Sequence, residues 1–214
     1  MVQDTRLGSP RSTEELTFML QEYQMVTHYL DRIADAYDRS LERYIALLSA
    51  TLGIVFGLQQ LSSSQGIEWS VAAGILSIPL MAGSIWYMGN VTRDIELWAA
   101  FNRRKGAYLY FAKHFPDATS YLDIDPSLDR SYVQAASLSG IFRRALSYGS
   151  TKTVLAVGNS ILLAVISFIV LSNAFTSLGR MPTLILSCGL FLLSILGHAG
   201  YARIRYHFNR KTYH

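Results

Sequence analysis

Charge is missing from four long stretches of this chain: Tyr44 to Ile67, Trp69 to Thr92, Thr153 to Gly179 and Met181 to Ala202, each at least 22 residues long. A helix needs about 20 apolar residues to cross the hydrocarbon core of a bilayer, so the absence predicts four transmembrane spans. Cysteine is nearly absent as well. Cys188 stands alone inside the fourth stretch, which excludes an intrachain disulfide and a thiolate metal cluster. Acidic residues are absent from the stretches and only His198 among ionisable bases enters one, so a proton relay or charged-substrate site lacks its usual parts. No serine elbow, paired intramembrane carboxylate or phosphate-cradling glycine loop occurs, and the chain reads as a non-enzyme without a cofactor or metal. The carboxylates between Asp123 and Asp129 lack the turn glycine and closing glutamate of a calcium loop, and His114 with Asp117 lacks a third ligand. No cleavable signal is visible, because the first apolar run begins too far into the chain; the first span serves as its own insertion signal.

What is present sorts by position. Basic residues number 5 before the first span, 9 between the second and third, and 4 after the fourth, whereas only Arg180 lies in the other two connections. Lys and Arg near span ends are retained on the cytoplasmic side, so both termini and the central segment are expected there, in an inner (plasma) membrane. The resulting fold class is an all-α integral membrane protein, four transmembrane helices with cytoplasmic helical extensions. Its segments are an amphipathic N-terminal helix (1–43), a transmembrane hairpin (44–92), a cytoplasmic helical segment (93–152), a second hairpin (153–202) and a basic aromatic tail (203–214).

The first helix is expected to start well before its span. Ser12 to Glu15 forms a capping box, and apolar residues then recur in a 4,3 pattern through Met19, Tyr23, Val26, Leu30, Ile33, Tyr37, Tyr44 and Leu47, broken only at Ser40. A single helix from Glu14 to Leu61 would be about 70 Å long at about 1.5 Å per residue. Its seam must pack, either on the chain's own central segment or on copies of itself. The second span likewise continues inward to about Phe115, where Pro116 stops it. Asp125 and Pro126 then open a helix that runs to about Tyr148.

Within the spans, Ser49, Gly53 and Gly57 lie four apart on one helix face. Small residues at this spacing allow close helix approach, within one chain or between subunits. Asn159 and His198 lie near the same end of adjacent spans, where they are placed to pair structurally or to form a gate or pH sensor. Pro79 should kink the second span as a packing feature or a hinge. Arg103, Arg104 and Lys105, the pair Arg143 and Arg144, and Arg203 with Arg205 in the tail read as contacts for lipid or another anionic ligand. Nucleic acid is not an expected partner, because arginines interleaved with aromatics beside a span form an interfacial anchor.

A cytoplasmic helix that feeds a tight hairpin and returns as a second cytoplasmic helix, Glu14 to Phe115 here, resembles the SLATT domains and related small membrane effectors of bacterial anti-phage and nucleotide-signalling systems. The resemblance rests on the seam Met19 to Tyr44 and the hairpin Tyr44 to Thr92, and the present chain adds a second hairpin. It implies a pore-forming or membrane-disrupting effector, silent until a cytosolic sensor protein or nucleotide second messenger triggers it. Two readings follow: an oligomeric channel gated from the cytoplasm, or a non-conducting scaffold or sensor that recruits a soluble partner.

Overall fold

The computed structural model describes residues 13–61, 68–114 and 151–210. They form four long helices: α1 (Thr13–Leu61), α2 (Trp69–His114), α3 (Thr151–Ala174) and α4 (Arg180–Arg210), with a 3-10 turn at Thr176–Leu178. The Ser12 cap, the first extramembrane turn, the Asp125 to Tyr148 helix, Arg143 and Arg144 lie outside the described residues. All four helices are long and apolar enough to span a membrane.

The lengths follow from local chemistry. Glu14 and Glu15 in the first turn of α1 complement the helix dipole, and neither glycine nor proline interrupts it before Gly53. It runs 49 residues, so about 70 Å, more than twice a hydrocarbon core of about 30 Å. The 46 residues of α2 pass unbroken through Pro79, whose ring is fully buried, and end with Lys113 and His114 in the last turn, where basic residues complement the helix dipole. Between α3 and α4 the chain reverses at Gly179, where φ of 72° favours a residue without a Cβ. Pro182 falls in the first turn of α4, the part of a helix that tolerates it. α4 continues as helix to Arg210, so most of the expected tail is a helical extension.

Successive helices pack against each other, with smaller contacts between α1 and α3 and between α2 and α4. Side-chain bonds fix the directions. Tyr29 meets Glu96 while Tyr37 meets Asn90, so α1 and α2 are antiparallel. Tyr87 reaches the His198 carbonyl and Tyr206 reaches Asp94, so α2 and α4 are parallel. The start of α1, the end of α2, the start of α3 and the end of α4 therefore point the same way, toward one basic end, with α1 and α2 reaching well beyond α3 and α4.

Most of the apolar surface faces outward. Phe56, Met81 and Ile185 are 65%, 68% and 69% exposed, which a bilayer accommodates and water does not. The core is narrow: Tyr44, Leu76, Tyr87, Val91, Leu155 and Leu162 fill the centre of the bundle. A single copy therefore has a packed interior.

The seam of α1 packs within the chain. Val26, Leu30 and Ile33 are buried, and Val26 and Leu30 form a cluster with Ala100 on the extension of α2. Tyr44 is among the largest fully buried side chains, while Met19, Tyr23, Tyr37 and Leu47 are half-buried. Ser40, the break in the seam, accepts from Asn90 Nδ2 at 3.0 Å and donates to the Tyr37 carbonyl at 2.7 Å. One buried polar pair within an apolar seam favours this register of α1 on α2, because a shifted helix would leave the buried Asn90 Nδ2 without its acceptor.

Candidate functional site

Asp94, on α2, bonds to side chains of all three other helices. It sits two residues past the second uncharged stretch, and its carboxylate accepts from Tyr37 of α1 and Tyr206 of α4 and pairs with Lys152 of α3. Lys152 Nζ also donates to Tyr206 Oη at 3.1 Å and lies 5.7 Å from the centre of that ring. Tyr37 Oη donates in addition to the Asn90 carbonyl at 2.8 Å. The side chains of Lys152 and Asp94 are only 25% and 18% exposed, so the pair is largely shielded from water and its mutual attraction is correspondingly strong. The cluster lies at the basic end, where the helices pass from apolar to charged sequence. It therefore joins the extensions of α1 and α2 to the start of α3 and the end of α4.

Sequence reading placed Tyr37 in the seam and Arg205 and its neighbours in the tail, but it did not single out Asp94 or Lys152. A signal was available: Asp94 is the first acid after the second span and Lys152 the last base before the third, opposite charges at matching depth on adjacent helices.

Deeper in the bundle a second polar layer joins α1, α2 and α3. Asn159 is fully buried and donates to Ser84 Oγ at 3.4 Å. Beside it, Tyr44 fits against two glycines. A Cβ at Gly83 would stand 2.6 Å from Tyr44 Cε2 and would collide with Asn159 Oδ1, and one at Gly158 would stand 2.6 Å from Tyr44 Oη. Tyr44 Oη and Asn159 Oδ1 are both buried with no hydrogen-bond partner among the described residues. Ser160 Oγ donates to Ser194 Oγ at 2.9 Å, linking α3 to α4.

Asn159 and His198, placed to pair by sequence, do not meet. His198 Nδ1 donates to the Ser194 carbonyl one turn earlier at 2.7 Å, and its ring stands edge-on to Tyr87 with centroids 4.6 Å apart. Register decides this: Asn159 faces α2, whereas His198 is held at the α2–α4 contact.

Among the described residues nothing packs closely on the small-residue face of α1. Ser49 is exposed, and a Cβ at Gly53 or Gly57 would meet nothing within 4 Å. The close helix approaches occur instead at Gly83 and Gly158.

The basic residues divide by height. Arg103 to Lys105 stand about 16 Å of helix or more beyond Thr92, farther than a headgroup layer of about 6 Å. Arg104 is engaged in packing: its Nη2 donates to Tyr23 Oη at 3.0 Å and its guanidinium lies 5.3 Å from the Tyr23 ring centre. Arg203 and Arg205 lie at the boundary and are exposed, with Arg205 Nη2 3.5 Å from Thr92 Oγ1. Arg104→Ala should therefore loosen the extended hairpin rather than weaken lipid contact. A charge-assisted bond and a cation–π contact together contribute about 2 kcal/mol, so amide exchange near Tyr23 and Arg104 should accelerate about 30-fold, as read by hydrogen–deuterium exchange.

Among the described residues no three His, Cys, Asp or Glu side chains converge in a metal-binding arrangement. No family model matches the chain, and comparison with curated proteins and with solved structures returns no match.

Proposed function

We propose that the protein is a homo-oligomeric inner-membrane switch, with both termini in the cytoplasm, whose cytoplasmic helices control a channel or membrane-disrupting activity. The observation that carries this reading is the Asp94 cluster. One carboxylate holds the water-exposed extensions and the spans in a single arrangement, the construction expected of a latch between a signal-receiving part and a membrane part. Collection of the basic span ends on one side supports the orientation. A filled interior leaves no path through one copy, so conduction requires walls contributed by several. The face of Ser49, Gly53 and Gly57, unoccupied among the described residues, suits contact between copies. The SLATT-like arrangement supports an effector role, in anti-phage defence or another nucleotide-signalling setting, with a cytosolic sensor or second messenger as trigger.

A second reading has its own observation. Phe18, Met25 and Leu109 on the extended hairpin are 64%, 55% and 55% exposed, an apolar surface that a soluble partner could cover. In that case the protein is a scaffold or sensor and does not conduct.

Subunit number in lipid nanodiscs, measured by native mass spectrometry, separates the two. A ring of four or more, with conductance in planar bilayers, is the expected result; a monomer or dimer without conductance favours the scaffold. Gly53→Leu adds bulk where none of the described residues lies within 4 Å of the added Cβ, so it should leave the fold intact and lower the subunit number. An unchanged number would place the subunit contact elsewhere.

A further inference from the structure

Four arginines surround a half-open groove at the boundary between the apolar and charged parts of the bundle. Arg32, Arg39 and Arg43 come from one face of α1 and Arg93 from α2, around a cavity of about 340 Å³ with Trp86 among its lining residues. Asp35 is the single acid in the lining, so the groove carries a formal excess of positive charge. Its one ion pair is loose: Arg39 Nη2 lies 3.7 Å from Asp35 Oδ2, with both side chains about two-thirds exposed. Arg93 Nη1 donates to Asn90 Oδ1 at 2.7 Å. None of these four arginines was singled out from the sequence, where they are scattered among acids.

The composition selects the ligand chemistry. Clustered guanidiniums present planar forks of donors that match phosphate oxygens, and a concentration of like charge is favourable when an anion is held between them. Depth selects the source. Arg43 directly precedes the first uncharged stretch and Arg93 directly follows the second, so both stand at headgroup height. Trp86 lies about two turns inside that level, where an indole has an apolar body and a polar edge to satisfy, and it meets the Tyr44 ring edge-on at 6.3 Å. Beyond Arg43 and before Arg93 both helices carry uncharged sequence, so acyl chains can follow the phosphate toward the apolar part of the bundle. The volume is at the low end of small-molecule sites, which run from about 300 to 1,000 Å³, and suits a compact headgroup.

We infer that this groove is a binding site for the phosphate of an anionic phospholipid, held by Arg39, Arg43 and Arg93 with its chains descending past Trp86. The site holds whether the protein conducts or serves as a scaffold. It is also continuous with the inter-helix polar contacts, since Ser40 and Arg93 both bond to Asn90.

The test uses the full chain in nanodiscs of phosphatidylcholine with a minor fraction of phosphatidylglycerol, counting by native mass spectrometry the lipid retained after collisional activation. The unmodified protein should retain phosphatidylglycerol in preference to phosphatidylcholine. Arg39→Gln with Arg43→Gln should lower that preference about 25-fold, at about fivefold for each arginine. Arg39→Lys with Arg43→Lys should keep most of it, which separates loss of charge from loss of fold. Arg203→Gln with Arg205→Gln, exposed basic residues at the same boundary outside the groove, should lower the preference by clearly less than the groove variant. An equal loss in that control would reduce the effect to general surface charge and overturn the site, as would an unaltered preference in the groove variant. Titration of inorganic phosphate into phosphatidylcholine-only discs tests the source. Arginine-dependent phosphate binding without any lipid preference would overturn the lipid assignment in favour of a soluble phosphate compound.

Discussion

Asp94→Leu should destabilise the bundle by about 3 kcal/mol, and Lys152→Leu by clearly less. The asymmetry follows from the bonds each side chain leaves behind. Loss of Asp94 removes the acceptor shared by Tyr37, Tyr206 and Lys152, and leaves an ammonium about three-quarters buried without its counter-charge. Loss of Lys152 leaves a carboxylate that still accepts from two phenols. The double variant should be more stable than the additive sum, because leucines replacing both members of a shielded pair leave no uncompensated charge. Unfolding in mixed micelles gives all three values. A coupling energy near zero would show that Asp94 and Lys152 act independently and would remove the basis for calling the cluster a latch. A latch also has a functional consequence: the single variants should shift the resting activity of the membrane part, whatever that activity is, before they abolish folding.

Gly83→Ala should cost about as much, roughly 1–3 kcal/mol for overpacking, although it adds a single methyl group. The added carbon would press on Tyr44 Cε2 and Asn159, both fully buried, and neither can withdraw without disturbing other helices. Gly158→Ala meets mainly the end of the same tyrosine, with Oη at 2.6 Å and Cε1 at 3.0 Å. Tyr44→Phe should therefore rescue Gly158→Ala in part and Gly83→Ala hardly at all. Alone it should be neutral or stabilising by about 1 kcal/mol, since it removes a buried hydroxyl without a partner. Gly53→Ala gives the contrast. With nothing within 4 Å and alanine preferred over glycine in helices by about 1 kcal/mol, it should stabilise α1. Thermal unfolding of the four single and two double variants in one detergent is sufficient. Equal costs at Gly83 and Gly53 would mean that Tyr44 does not occupy the notch between α2 and α3.

These results turn on contacts that the one-dimensional pattern does not contain. The extent of α1 was legible because it depends on neighbouring residues: uninterrupted helix formers, acids in the first turn and an unbroken apolar run. The same holds for the end of α2 just before Pro116 and for the reversal at Gly179, where backbone geometry is set locally. A seam on α1 was also legible, but whether another copy or the same chain covers it is a matter of which surface arrives. In this structure α2 returns antiparallel and buries Val26 and Leu30 against Ala100.

By itself the sequence determined the four apolar helices, the extent of α1 and α2 and the segregation of basic residues, because each depends on the solvent preference and backbone freedom of residues adjacent in the chain. Only the tertiary structure decided which glycines are close contacts, that Asn159 turns to Ser84 and His198 to Tyr87, and that Asp94 gathers Tyr37, Lys152 and Tyr206. The physical reason is register. A shift of one residue rotates a side chain by about 100° around its helix, and the rotation adopted is set by how four helices fill the space between them.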